Sequence, residues 1–302
     1  MNNFIKVRDT DIVISGRLLK IARPELEKYE ALENPETLIE ELRRSGQRID
    51  LFTFLQIEKD APKHDFFVES ENMAILLIST YDHWFNNQIR SEARNRARQA
   101  GKKGVTVQEV PFDDAFVKGI WEVYCESPIR QGKRNVHYGK DMETVRREAA
   151  TFLDRSVFIG AFLKGQLVGF VKLVMDKPRI HANTMNIVSM VKHRDKAVTN
   201  ALIAQCVRSC AERGVQYLAY QSFTYGKKRP DSLTNFKQVN AFERVEVPRY
   251  YVPLTGIGSA VLHLGLHHRL SERIPESVAE KLRELRTEWY KRRLQSTSGA
   301  LS

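Results

Sequence analysis

The chain has 302 residues, 42% hydrophobic and 28% charged, which is enough apolar material for a packed core and excludes global disorder. Lys and Arg outnumber Asp and Glu by 48 to 37, a net charge of +11, and no apolar run approaches the roughly 20 residues that a bilayer span needs. Cys125, Cys206 and Cys210 form no CxxC pair, which argues against a disulfide scaffold or a zinc ribbon, and the start from Met1 to Lys6 lacks a basic-then-apolar leader, so a cytoplasmic protein is expected.

In chain order, residues 11–21 read as two short strands around Ser15-Gly16. Residues 24–29 and 35–44 read as helices, each with proline near the first turn. Residues 49–57 and 73–79 are apolar, β-rich runs. Residues 80–103 read as one long helix on which Arg90, Arg94 and Arg98 form a stripe, either a solvent-facing edge or a rail for an acidic surface. From 105 the order becomes regular. A strand (105–110) is followed by a helix capped by Asp113 or Asp114 (113–126) and a second helix (141–154). Strands 156–163 and 167–175 are joined by the tight turn Lys164-Gly165-Gln166. A strand (182–192), a helix stopped by Gly214 (198–213), a strand (215–222), a short helix (231–239) and a long or paired strand (242–254) complete a mixed sheet with helices on both faces. An apolar helix (260–268) and a helix opened by Pro275 end the chain.

The positive charge is local. Residues 90–104 carry six basic and one acidic residue and residues 130–147 six and two, whereas residues 1–60 carry ten and twelve. Such stretches imply phosphates of a cofactor, a nucleic acid, an anionic glycan or a lipid surface; otherwise they are solvated basic faces.

Three segments carry chemistry. Arg194-Asp195-Lys196-Ala197-Val198-Thr199 immediately precedes the helix that Asn200 enters. Unpaired N–H groups at a helix start, with Lys192, Arg194 and Lys196 nearby, suit an anion. Phe236-Lys237-Gln-Val-Asn240-Ala241-Phe242 puts a lysine on a short helix, as a phosphate or oxyanion ligand or simply facing water. The loop from Ser127 to Lys140 offers Arg130, Gln131, Tyr138 and Lys140 to a carboxylate, phosphate, sugar or base. It also offers His137 as a candidate base, or as a surface histidine without a role.

The element order over 105–254 resembles that of the general N-acetyltransferase (GNAT) superfamily. The segment at 194–199 falls where that superfamily has its R/Q-x-x-G-x-G/A pyrophosphate loop, with Ala197 and Thr199 replacing the glycines. The segment at 236–242 resembles the F-K-x-x-G-F variant of Fem-type aminoacyl transferases, related proteins of which occur among bacterial polysaccharide genes. The resemblance implies an α/β (α+β) fold: an N-terminal α/β attachment (1–80), a GNAT-like domain (81–255) and a C-terminal helical tail (256–302). It implies an N-acyltransferase that takes acyl-CoA (acetyl-CoA) or another phosphate-bearing donor and acylates an amine of a sugar, amino acid or cell-envelope precursor. Met190, Val191, Lys192, Arg194, Asp195, Lys196, Ala197, Val198, Thr199 and Asn200 would hold the donor, a backbone N–H near Met190–Lys192 polarising its carbonyl. Lys237, His137 and Ser189 would assist catalysis, and Arg130, Gln131, Tyr138 and Lys140 would bind the acceptor. No carboxylate lies on 182–192, so His137, or a water relayed through Asn186 or Ser189, must take the proton. The alternatives are a non-catalytic protein binding nucleic acid or anionic glycan, and a Fem-like transferase using aminoacyl-tRNA, against which a single full GNAT block counts. No metal and no membrane span are expected. His263-x-x-x-His267-His268 reads as chance, Cys206 and Cys210 as core residues, and Cys125 as a buried cysteine rather than a nucleophile.

Overall fold

The computed structural model describes residues 3–57, 61–130, 133–224 and 232–268, together with Lys281 and Leu285. Gln131, the residues from 227 to 231 and the helix expected after Pro275 lie outside the described residues. In chain order the elements begin with β1 (Asn3–Val7), β2 (Thr10–Ser15), β3 (Ile21–Pro24), α1 (Pro35–Arg44), β4 (Leu51–Leu55) and β5 (Phe67–Leu77). Then come α2 (Tyr81–His83), a π-helical turn (Trp84–Gln88), α3 (Ser91–Lys102), β6 (Val105–Val110) and α4 (Asp114–Cys125). A small hairpin, β7 (Ile129–Arg130) and β8 (Lys133–Arg134), precedes α5 (Met142–Ala149), β9 (Ser156–Leu163), β10 (Gln166–Met175) and β11 (His181–Ser189). The last are α6 (Val198–Glu212), β12 (Tyr217–Ala219), α7 (Ser232–Val239), β13 (Glu243–Pro253) and α8 (Gly256–His263).

The chain divides into two compact units, one of Met1–Ile75, Gln221–Gly226 and Glu243–Arg273, the other of Leu76–Tyr220, Lys227–Phe242 and Ile274–Ser302. In the first unit the strand order is β1-β2-β3-β4-β13-β5. Every pairing is antiparallel except β3 with β4. Pro35 opens α1 at a position where its missing N–H costs nothing, and Arg43 and Arg44 sit favourably at the negative end. Leu38, Ile39 and Leu42 recur on one face and pack on Ile12, Phe52, Phe54 and Tyr250. Each such side chain stabilises by about 1.5–3 kcal/mol when fully buried. The helix expected at 24–29 is absent. Pro24 pairs with Ile12 as the last residue of β3, and a turn follows, closed by Tyr29 N–H to Leu26 O at 2.8 Å. Sheet pairing outcompetes a helix here, and the buried carboxylate of Glu27 is drawn to Arg249 instead.

The second unit has the order β12-β11-β10-β9-β6, antiparallel except for β11 with β12. The β9–β10 turn has Lys164 and Gly165 both at positive φ (51° and 79°), the type I′ geometry that suits a hairpin's twist. Alternation along β10 gives it a helix layer on each face. Phe170 and Lys172 face α4 and α5, where Phe170 meets Phe116 and Tyr124 edge-on. Gly169 faces α6. A Cβ at Gly169 would stand 2.8 Å from Val198 Cγ1 and 3.1 Å from Ser189 Cβ, so only glycine lets the helix sit this close. Asp113 and Asp141 cap α4 and α5, accepting from Phe116 N–H (2.8 Å) and Thr144 N–H (2.7 Å).

Three expectations for this unit are corrected. The 80–103 helix breaks at Ile89 and Arg90, both extended (ψ 147° and 153°). Buried Trp84 donates to Asn240 O, and the Arg94 guanidinium takes the carbonyls of Phe85, Asn86 and Ile89. Arg94 is thereby removed from the expected arginine stripe. The 141–154 helix stops at Ala149, where the Lys172 ammonium takes the carbonyls of Ala149 and Thr151. The 182–192 strand ends at Ser189 and turns into a 3-10 segment, Val191–Lys196.

Candidate functional site

β11 and β12 share a ladder only at His181↔Tyr217, Ala182↔Leu218 and Asn183↔Ala219, yet β11 continues against β10 as far as Ser189. The strands separate beyond those pairs, and a cleft opens there. Its walls are Ile187 and Ser189 of β11, the turn through Arg194, the start of α6 from Ala197 to Asn200, Tyr220, and Ser232 and Phe236 of α7. Glu92, Arg96 and Arg130 line it as well.

The start of α6 is built without a side-chain cap. Ala197 adopts the left-handed conformation (φ 54°, ψ 33°) that a glycine would take without steric cost. Asn200 N–H reaches Ala197 O at 3.1 Å. The first-turn amides of Val198 and Thr199 have no intrahelical acceptor, which makes this end electropositive. Ser189 Oγ and Thr199 Oγ1 are 3.1 Å apart and tie the strand end to the helix start.

Two buried donors at this cleft lack a protein partner. The Asn200 side chain, 6% exposed, leaves its amide Nδ2 unpaired, and Arg130 leaves Nη1 unpaired while Nη2 donates to Ser189 O. Burial holds the Arg130 guanidinium below its usual pKa. Glu126 pulls the other way, and Arg194 adds to the depression. A buried cation with an open donor is costly, at about 1–3 kcal/mol for the unmade bond, and an incoming anion removes that cost.

The donor contacts expected at Met190–Lys192 are not available. Met190 N–H donates to Val168 O at 2.8 Å. Val191 and Lys192 N–H groups both donate to the Glu126 carboxylate, at 3.0 and 2.9 Å. An internal carboxylate thus sits where the oxyanion was expected. Sequence reasoning passed over Glu126, although an acidic residue at the C-terminal end of α4 is opposed by the helix dipole and so signals another partner. Tyr220, also passed over, lines the cleft.

Lys237 is not on a solvent face. It is fully buried (0% exposed), with Nζ 4.9 Å from the centroid of the Tyr220 ring. Asp195 is on the outside, in ion pairs with Lys103 and Lys196. Among the described residues of the 127–140 loop only Arg130 lines the cleft. His137 stacks on Tyr124 with centroids 4.2 Å apart, and its Nδ1 is 3.3 Å from Lys140 Nζ, which also holds Glu148. Burial first, then the Lys140 charge, lowers the His137 pKa. Tyr138 is exposed, and neither it nor His137 nor Lys140 is among the cleft's lining residues. Cys206 and Cys210 are buried, and burial pushes both thiols up, as inert core residues require.

A mixed sheet flanked on both faces, parting strands and a helix starting at the gap define the architecture. The fold is GNAT-like. No family model and no curated protein matches the sequence, but solved structures do match the fold. Crystallised FemX is 12% identical, with 87% of this chain and 90% of that chain covered and a TM-score of 0.58. The L-PGS structure from Bacillus licheniformis is 15% identical over 86% of this chain and 87% of that chain, with a TM-score of 0.58. The C-terminal DUF2156 domain of an Agrobacterium fabrum protein assigned as a lysylphosphatidylglycerol synthetase is 12% identical, again over 86% and 87% and at 0.58. At these identities the likeness is one of fold. Among the described residues no helix is long and apolar enough to cross a membrane.

Proposed function

We propose that this GNAT-like chain is a transferase that moves an acyl group from a phosphate-bearing donor onto an amine of a sugar, amino acid or cell-envelope precursor. The observation that carries the reading is the pair of unpartnered buried donors, Arg130 Nη1 and Asn200 Nδ2, beside the open first turn of α6. They form a preorganised receptor for an anionic or carbonyl oxygen, which is what acyl transfer needs where charge develops. The amine attacks the carbonyl carbon, a tetrahedral intermediate forms, and the C–O or C–S bond to the carrier breaks. The amine's proton leaves through water held at Ser189, because His137 is outside the cleft. Arg130 and Asn200 steady the oxyanion, Arg194 and the Val198–Thr199 amides hold the donor's phosphate, and Lys237 supplies a buried positive charge behind Tyr220.

The donor we favour is an aminoacyl ester, as on tRNA. The Val191 and Lys192 amides are already given to Glu126, and both loop glycines are missing, which disfavours the extended phosphate tail of acyl-CoA. Likeness to FemX and to lysylphosphatidylglycerol synthetases supports the same choice. Acyl-CoA is the second reading, supported by the left-handed turn at Ala197 before α6. The test is binding and transfer with labelled aminoacyl-tRNA and with labelled acetyl-CoA, using wild type and Arg194→Glu. Saturable binding of charged tRNA that the variant weakens supports the first donor, and the same behaviour with acetyl-CoA the second. Binding that collapses with salt and transfers nothing from either donor would leave a non-catalytic anion-binding protein.

A further inference from the structure

In the first unit β5 carries Glu69, and the turn after α8 carries His267 and His268. The two imidazole Nε2 atoms lie 3.1 and 3.2 Å from the same carboxylate oxygen, Glu69 Oε1. One ligand atom from each of the three residues lies within 4.8 Å of the others. The geometry points to a divalent transition-metal site, of the zinc class, formed by Glu69, His267 and His268.

Two ligand atoms at about 2.0–2.1 Å from a tetrahedral zinc stand about 3.3 Å apart. The observed N···O spacings are therefore close to the edges of a coordination tetrahedron. Two nitrogens and one oxygen make a borderline donor set that suits Zn2+, Ni2+ or Cu2+ rather than Ca2+ or Mg2+. His267 is packed firmly in place. Its side chain is 1% exposed, wedged against Tyr251 (centroids 4.7 Å apart) and Phe67, and its Nδ1 is buried without a hydrogen-bond partner. Hydrogen bonds alone would require both rings to protonate Nε2 and share one acceptor oxygen, while a bound ion accepts all three lone pairs. Glu69 is free for this task because Arg249, its partner across the ladder, is already neutralised by Glu27 and Glu71. A fourth ligand position is left for water. His263, which ends α8, is not in the cluster.

The experiment strips the full chain with EDTA, dialyses it against Zn2+ and measures bound metal by mass spectrometry. It also records the visible spectrum after Co2+ loading. One Zn2+ per chain is expected, with d–d bands in the cobalt form and a raised Tm that depends on zinc. Glu69→Gln and His268→Ala should each weaken binding roughly 10-fold or more, and His263→Ala should leave it unchanged. His267→Ala risks misfolding because the ring is buried, whereas His268 is 39% exposed and its replacement is a safe control. Zinc uptake no greater in wild type than in His268→Ala, or loss of uptake with His263→Ala, would overturn the site.

Discussion

Two partly buried arginines, one in each unit, have opposite fates. Arg249 gives Nη1 and Nη2 to the two oxygens of Glu27 at 3.0 Å each, Nε to Glu71, and a further bond to Thr53 Oγ1 at 3.2 Å. Burial alone would lower its pKa, but the two carboxylates outweigh that and raise it. Arg130 has one carbonyl partner, one unpartnered nitrogen and a lowered pKa, while the carboxylate nearest in sequence, Glu126, is spent on the Val191 and Lys192 amides. A neutralised cation is part of the scaffold. A cation left short of an anion, at a cleft, suits the receptor role proposed for Arg130.

The contrast is sharpest in stability. Arg249→Met should cost up to about 3–5 kcal/mol in denaturant unfolding, because buried Glu27 keeps only Arg23 at 3.5 Å and Glu71 only Lys28 at 3.4 Å. Adding Glu27→Gln and Glu71→Leu should recover much of it. Arg130→Met should behave the other way: stability within about 1 kcal/mol, but donor affinity or transfer down roughly 30- to 150-fold, the value of a charge-assisted hydrogen bond of about 2–3 kcal/mol. Equal stability losses in the two variants would erase the distinction between scaffold and receptor.

A third buried cation tests the comparison through pH. Lys172, 1% exposed, has its pKa pushed down to about 8 by burial, below the usual 10.5. Between those values the unfolded chain holds the proton more tightly than the folded one, so stability should rise with pH across that window. The slope cannot exceed about 1.4 kcal/mol per pH unit. Lys172→Met should flatten it in thermal scans at a series of pH values; an unchanged slope would assign the effect elsewhere. The smallest effect belongs to Glu126→Gln. It keeps one acceptor for the two amides and should cost about 1 kcal/mol, with a change in donor KM rather than in fold, read by steady-state kinetics beside a melt.

Much of the second unit was legible from local signals. Asp113 and Asp141 announced helix starts, Lys164-Gly165 announced a hairpin, and the ordering of elements announced the fold. Arg130, Arg194 and Asn200, which the sequence separates by as many as 70 positions, were nominated by chemistry, and the structure does bring them to one cleft. What escaped was decided by partners remote in sequence. The break at Ile89 depends on Trp84 meeting Asn240, the end of α5 on Lys172, and the use of the strand-end amides on Glu126. Local propensity carries no trace of such pairings, because each trades a helical hydrogen bond for one that exists only after the chain has closed. Whether Lys237 faces water was left open for the same reason. An amphipathic pattern cannot say that a neighbouring strand's tyrosine will cover the polar side.

Gly169 has a consequence for how this pocket can diverge. The opening turn of α6 rests on a strand residue that has no side chain, so Val198 is already at its closest approach. Replacement by alanine or serine would push Val198, and with it that end of the helix, away from β10. The reverse route does not exist, because nothing smaller than a hydrogen can be put there. Descendants of this sequence can gain room at position 169, and any narrowing must come from residues that line the cleft, such as Tyr220 and Phe236.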